Sequence, residues 1–210
     1  MGDIDDGPDQ PPRLVVITGA TGVGKSTLAH RVAGELGFGR FASTDTIREV
    51  MRLAASSGSE PALHRSTYSM GDTGDAINDW QDAAVAVEAG VEAVIARSRA
   101  EGIDLVVEGV HIVPHVRWLR DWSKAGGIVI GVYVTVETEA RHLEFIEARE
   151  ARTHRSVDRY LQSFDRIRAV QTAMIERGRI SNWLQVDSVF HREPVERVRQ
   201  ALDEAWYERR

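Results

Sequence analysis

Gly19-Ala20-Thr21-Gly22-Val23-Gly24-Lys25-Ser26-Thr27 carries the spacing G-x-x-x-x-G-K-[ST], directly after the apolar run Leu14-Val15-Val16-Ile17 and before Leu28-Ala29-His30-Arg31-Val32-Ala33. A buried strand feeding a glycine-rich turn and then a helix is the context such a phosphate-binding loop needs. Glycines let the backbone curl with its N–H groups inward, and those donors join the helix N-terminus in surrounding a polyphosphate. Lys25 supplies positive charge to the β- and γ-phosphates. Ser26 offers a hydroxyl to Mg²⁺, a hard ion that keeps most of its waters and takes one or two protein oxygens.

Two acids stand where further chemistry is expected. Asp45 follows the short strand Arg40-Phe41-Ala42-Ser43-Thr44 and would face the γ-phosphate, where it orients an acceptor hydroxyl; the plainer role is to favour the start of the next helix. Glu108 ends the strand Ile103-Asp104-Leu105-Val106-Val107 and is expected to hold Mg²⁺ through water. Arg48 and Arg52 lie one turn apart and can point toward an acidic substrate, or pair with Glu49 on a solvated face. Arg141, Arg149, Arg152, His154 and Arg155 form a candidate lid, with Arg149 assigned to the nucleotide and Arg152 to the transferred phosphoryl group, because planar guanidinium forks suit phosphate. His111 and His115 follow Glu108; a structural role is as fitting for them as acceptor contact.

The elements that position these groups read as one α/β domain from 13 to 210, with a disordered acidic tail over 1–12 (MGDIDDGPDQPP) that is too poor in apolar residues to fold. A helix is expected after Asp45, with Thr46 and Glu49 at capping-box spacing. A polar connection spans 56–75, the length of a functional loop. Ala76 to Arg99 reads as one long helix with Ala83, Val87, Val91, Val94 and Ile95 on its apolar stripe, stopped by Gly102. Ile128 to Val134 is a central strand, and 138–178 is the helical lid, broken near Thr153-His154. Trp183 to Val186 is the last strand and Pro194 to Tyr207 the closing helix. Strands alternating with helices imply a three-layer P-loop NTPase fold with a parallel sheet of about five strands and a ligand at the strands' carboxyl ends.

Composition excludes several classes. The net charge of −6 argues against a general nucleic-acid or anionic-membrane binder. The absence of cysteine removes disulfides and thiolate metal sites. No apolar stretch is long enough to span a bilayer, and a cytoplasmic location is expected. A guanine-reading N-K-x-D element and a transporter signature helix are both missing, and no basic stripe with interleaved aromatics offers a path for a nucleic-acid strand. A small-molecule kinase with a closing lid remains, its acceptor anionic because several arginines face the cleft. The nearest rival is a kinase of another small acceptor, a polyol or inositol phosphate, a sugar or an antibiotic hydroxyl, and the rival from another class is a nucleotide-dependent switch. A homodimer through the long helix or Trp80, Trp118 and Trp122 is allowed, and adenine contacts are expected near Asp187-Ser188.

Several blocks go beyond a generic kinase. Ser43-Thr44-Asp45-Thr46-Ile47-Arg48-Glu49-Val50-Met51-Arg52, Leu63-His64-Arg65-Ser66-Thr67-Tyr68, Glu108-Gly109-Val110-His111-Ile112-Val113-Pro114, and Arg152-Thr153-His154-Arg155 with Tyr160-Leu161 and Phe164 downstream resemble the 2-phosphoglycerate kinase family. His115 stands where that pattern has glycine. The resemblance, over roughly 14–187, implies an ATP-dependent, Mg²⁺-using kinase that converts 2-phosphoglycerate to 2,3-bisphosphoglycerate. It implies that Arg48, Arg52, Tyr68, His111 and Arg155 are substrate-side residues.

Overall fold

A computed structural model describes residues 11–55, 60–151 and 157–208. Their strands are β1 (Arg13–Gly19), β2 (Arg40–Ser43), β3 (Leu105–Glu108), β4 (Ile128–Thr135) and β5 (Leu184–Asp187), joined in one sheet of order β2-β3-β1-β4-β5. Every pairing is parallel. β1 therefore has neighbours reached by chain leaving in opposite directions, which opens a crevice at its carboxyl end. The register aligns Ile17 with Glu108 and Glu108 with Ser43, so the loop after β1, the acid of β3 and the end of β2 meet on one edge.

The central strands β3, β1 and β4 are largely apolar on both faces because helices cover both. Val15, Ile17, Val106 and Val132 pack with Ala29 and Val32 of α1 (Lys25–Glu35) and Val198 and Leu202 of α8 (Pro194–Tyr207). Leu14, Val16, Leu105 and Val107 pack on the other side with Val87, Val91 and Ile95 of α3 (Ala76–Glu101), and with Trp118 and Trp122 of α4 (Arg117–Lys124). The stripe expected on α3 is buried except at Val94, which is only half-buried. Asp75 caps its first turn through Ile77 and Asn78 N–H groups, and Gly102 ends it in the left-handed conformation.

Several expectations are corrected. α2 (Thr44–Ala54) starts before Thr46: Ser43 is the cap, its Oγ accepting from Asp45 N at 3.3 Å, so Asp45 sits in the first helical turn. α4 has no counterpart in the sequence reading, since its short polar sequence shows its apolar face only through two tryptophans. A 3₁₀ turn, Pro61–His64, interrupts the polar connection. Trp80 and Trp122 are fully buried and Trp118 nearly so, all within this chain's own core, so none of them offers a dimer surface. The 138–178 region divides into α5 (Glu139–Glu150), α6 (Asp158–Gln162) and α7 (Phe164–Ile180). α7 is no lid: Ile167, Val170, Ala173 and Met174 are buried in the sheet's core, and Gly178 lies where any Cβ would collide with the Tyr133 ring. The expected tail lies outside the described residues save for Pro11 and Pro12. No helix among the described residues is long and apolar enough to cross a membrane.

Candidate active site

The loop between β1 and α1 is shaped by Gly22 and Gly24, both at positive φ (87° and 88°), with Gly24 as the α1 N-cap. A Cβ on Gly22 would run into Ile146 of α5, which lies directly on the loop. His142 of the same helix donates from Nε2 to the Thr21 carbonyl at 2.8 Å. Burial holds the His142 pKa below its usual value, against the pull of that bond, so the ring is neutral and its tautomer is set by the carbonyl it serves. On the far side, Ser188 Oγ donates to Val23 O at 2.5 Å. The loop is thus fixed from α5 and from the segment after β5.

Ser26 Oγ donates to Glu108 Oε2 at 3.1 Å, with Glu108 almost fully buried. A hydroxyl and a carboxylate in contact beside a phosphate loop make a donor set of hard oxygens, which suits Mg²⁺. Of the remaining expected nucleotide residues, Thr21, Lys25 and Arg149 border the cleft, whereas Thr27 is exposed on α1. Asp187 is occupied locally: Thr135 Oγ1 donates to it at 3.1 Å, and the Val189 and Phe190 N–H groups donate to its other oxygen at 2.9 and 3.1 Å.

The cleft has a volume of about 480 Å³, with Lys25 and Thr21 on one wall and Asp45, Arg48 and His111 on another. Ser66, Thr67, Tyr68, Arg149, Arg159 and Tyr160 close the remaining side. Asp45 reaches into it with a largely exposed side chain, and its Oδ1 lies 3.7 Å from His111 Nδ1. His111 is buried at the floor, its Nδ1 3.0 Å from Thr44 Oγ1 and its Nε2 without a hydrogen-bond partner. Burial, helped by the nearby Arg48 and Lys25 charges and opposed by Asp45, pulls the His111 pKa down to about 4. Gly109 makes this contact feasible, because a Cβ there would overlap Thr44 Oγ1.

Arg48 and Arg52 do not act alike. Arg48 is mostly buried and donates to the Leu63 and Arg65 carbonyls at 3.3 and 3.1 Å and to Glu49 at 2.7 Å, which leaves its buried Nε unpartnered. Arg52 lies outside the cleft wall and spends its guanidinium on Glu49 at the helix surface. One turn of helix puts the two on the same side, but α2 packs on α3 so that only the first reaches the cleft. Arg141 likewise pairs with Glu144 on the exposed face of α5. Arg152, His154 and Arg155 lie outside the described residues.

Sequence reasoning missed Arg159. Its guanidinium stands 4.6 Å from the Tyr160 ring centroid and donates to Tyr160 Oη at 2.7 Å, while Arg149 lies 4.9 Å from the same ring. Tyr160 in turn lies 5.0 Å from Tyr68, ring to ring. The usable signal was the apolar-basic alternation Arg159-Tyr160-Leu161, in which a buried aromatic can hold a cation on its face.

The fold and the loop define a P-loop nucleotide-binding architecture with a parallel five-stranded sheet. The chain is similar to the gluconokinase from Sinorhizobium meliloti 1021 (17% identity, TM-score 0.57, 95% of this chain and 98% of that one), a likeness of fold alone. In sequence it is similar to the 2-phosphoglycerate kinases of Methanocaldococcus jannaschii (33% identity over 199 residues, 92% of this chain, 64% of the relative) and Pyrococcus furiosus (35% over 175 residues, 80% and 56%). No family model matches the chain. Over the aligned stretch the chain is similar to 2-phosphoglycerate kinases, and it spans less than two thirds of the length of these relatives.

Proposed function

We propose that the chain is an ATP-dependent kinase of a small phosphorylated hydroxy acid, with 2-phosphoglycerate as acceptor and 2,3-bisphosphoglycerate as product. The observation that carries this reading is a single cleft in which Lys25 of the phosphate loop faces an acid, Asp45, flanked by Arg48, His111 and Arg159. The buried and unpartnered Arg48 Nε and His111 Nε2 are consistent with a polar ligand, since such atoms are costly to leave unbonded. Sequence similarity to 2-phosphoglycerate kinases supports the choice of acceptor. The absence of cysteine suits a reducing cytoplasm.

In this reading the acceptor's hydroxyl oxygen bonds to the terminal phosphorus of ATP while the bond to the ADP oxygen breaks, and the Asp45 carboxylate takes the hydroxyl proton. Asp45 suits a general base because it is exposed to the cleft and lies beside a neutral His111. Lys25 and the inward N–H groups of the loop oppose the charge on the transferred group, and Arg149 and Arg159 add to this from across the cleft. Ser26 and Glu108 would hold Mg²⁺, which neutralises phosphate charge when bound. Tyr68 and Tyr160 keep water from the acceptor side.

The test is ADP release from ATP and Mg²⁺ with 2-phosphoglycerate, 3-phosphoglycerate, inositol phosphates and unphosphorylated hydroxy acids, beside an Asp45→Asn control. Stimulation by 2-phosphoglycerate that is lost in the control is the expected result. Stimulation by another acceptor keeps the chemistry and rejects the substrate. Nucleotide binding with no stimulation by any acceptor rejects the kinase reading.

A further inference from the structure

The wall of the cleft that carries Ser66, Thr67 and Tyr68 belongs to a connection with little apolar content, Arg65-Ser66-Thr67-Tyr68-Ser69-Met70-Gly71-Asp72-Thr73-Gly74-Asp75. Only Thr67 of this stretch is buried and only Tyr68 packs on the core, so hydrophobic packing holds little of it. Two side chains from the helical body hold it instead. Arg166 of α7 donates from Nε to the Tyr68 carbonyl at 3.2 Å, from Nη1 to the Gly74 carbonyl at 2.8 Å, and from Nη2 to the Ser69 carbonyl at 3.2 Å. The same Nη2 meets Asp79 Oδ2 at 2.6 Å. Asp79 of α3 is 1% exposed and accepts from Gly71 N at 2.8 Å, Thr73 N at 3.2 Å and Thr73 Oγ1 at 2.7 Å.

We propose that Asp79 and Arg166 are a positioning pair that fixes residues 66–74 as the acceptor-side wall of the cleft, and so sets affinity for the acceptor while leaving the nucleotide site alone. The inference rests on the acceptor reading above. Each nitrogen of one guanidinium is spent on the loop's backbone, and the carboxylate that pairs with it accepts three further bonds from the same loop. That is a fork geometry a lysine cannot reproduce. Burial alone would raise the Asp79 pKa, but the bonds from Thr73, Gly71 and Arg166 outweigh it and bring the group down to about 2, so the carboxylate is charged at any working pH.

The coupling has a direction. Arg166 stands on α7, which continues from α6 past Ser163, and α6 carries Arg159 and Tyr160. The Tyr68–Tyr160 ring contact joins the two sides again at the cleft. One ion pair, with Asp79 buried and Arg166 partly so, therefore ties the Tyr68 wall to the helix that follows the arginine-bearing wall. Neither Asp79 nor Arg166 borders the cleft itself.

The experiment uses the full chain with Asp79→Asn and Arg166→Lys, and reads KM for 2-phosphoglycerate, KM for ATP, kcat, and amide hydrogen exchange peptide by peptide. The expected result is an acceptor KM raised at least tenfold in both variants, ATP KM within twofold, and faster exchange confined to 66–74. A role in general stability alone would lower the melting temperature or the active fraction and leave both KM values unchanged; that result overturns the proposal. If Asp79→Asn fails to fold, Arg166→Lys gives the same readings. Wild-type protein without acceptor-stimulated turnover overturns the acceptor reading, and unchanged exchange at 66–74 in a folded variant overturns the positioning role of the pair independently of it.

Discussion

Ser26 Oγ and Glu108 Oε2 meet at 3.1 Å although 82 residues separate them in the chain. The contact exists because β1 and β3 run side by side in register, which brings the residue after the phosphate loop over the end of the neighbouring strand. Ser26→Ala and Glu108→Gln are each expected to raise the Mg²⁺ concentration for half-maximal turnover by about tenfold or more, as loss of a metal-site oxygen or its support does elsewhere. A Mg²⁺ titration of ADP release checks this. Unchanged half-saturation in both variants would assign the pair to structure.

Arg159 is expected to serve the acceptor and the transferred phosphoryl group. Arg159→Lys keeps the charge but loses the planar fork, and it weakens the contact with the Tyr160 ring, so kcat/KM for the acceptor should fall by about tenfold or more. Arg52→Lys, at a surface pair outside the cleft, should change kcat/KM by less than about twofold. Steady-state kinetics on the two variants side by side make the comparison.

His111 links stability to pH. Its folded pKa of about 4 lies below the unfolded value of 6.5, so between these values the unfolded chain binds a proton that the native chain refuses. Stability is therefore fully present above pH 6.5 and is lost as pH falls toward 4. From this group alone, unfolding free energy should drop by about 2 kcal/mol between pH 7 and pH 5. His111→Gln, which does not titrate, should remove about that much of the pH dependence in urea unfolding curves.

Gly109 stands between Glu108 at the end of β3 and the buried His111. Its φ of 155° and its contact with Thr44 leave no room for a methyl group, so Gly109→Ala should destabilise the protein by about 3 kcal/mol. Thermal or urea unfolding checks the magnitude. A variant as stable as the wild type would mean that β2 and β3 can part at no cost.

Much of the fold was legible because its signals are local. β1, β3 and β4 are apolar runs bounded by breaks, and Gly102 and Pro194 mark helix ends by their own backbone preferences. The start of α2 was misjudged because Ser43 and Thr46 are both capable caps, and the choice between them depends on where β2 stops pairing with β3. α4 escaped notice because it is short and polar apart from Trp118, Leu119 and Trp122; its buried tryptophans donate to partners remote in the chain, Trp118 to Glu92 of α3 and Trp122 to the Pro12 carbonyl. The extent of the lid was overdrawn for a related reason: arginines dominate the sequence of 138–178, while the apolar stripe of α7 that fixes it to the sheet is interleaved among them.

The sequence by itself determined the phosphate loop and the parallel α/β class, because glycine spacing and apolar periodicity act over a few residues and need no distant partner. Only the tertiary structure decided which cations serve the cleft. Arg48 and Arg52 are equivalent in sequence, yet one is buried against the Leu63 and Arg65 carbonyls and the other lies at the surface with Glu49. Arg166 is one arginine among several on α7, and it acquires its role from Asp79, 87 residues away. A charged side chain's function is set by what neutralises it and what dries it, and both are supplied by elements remote in the chain.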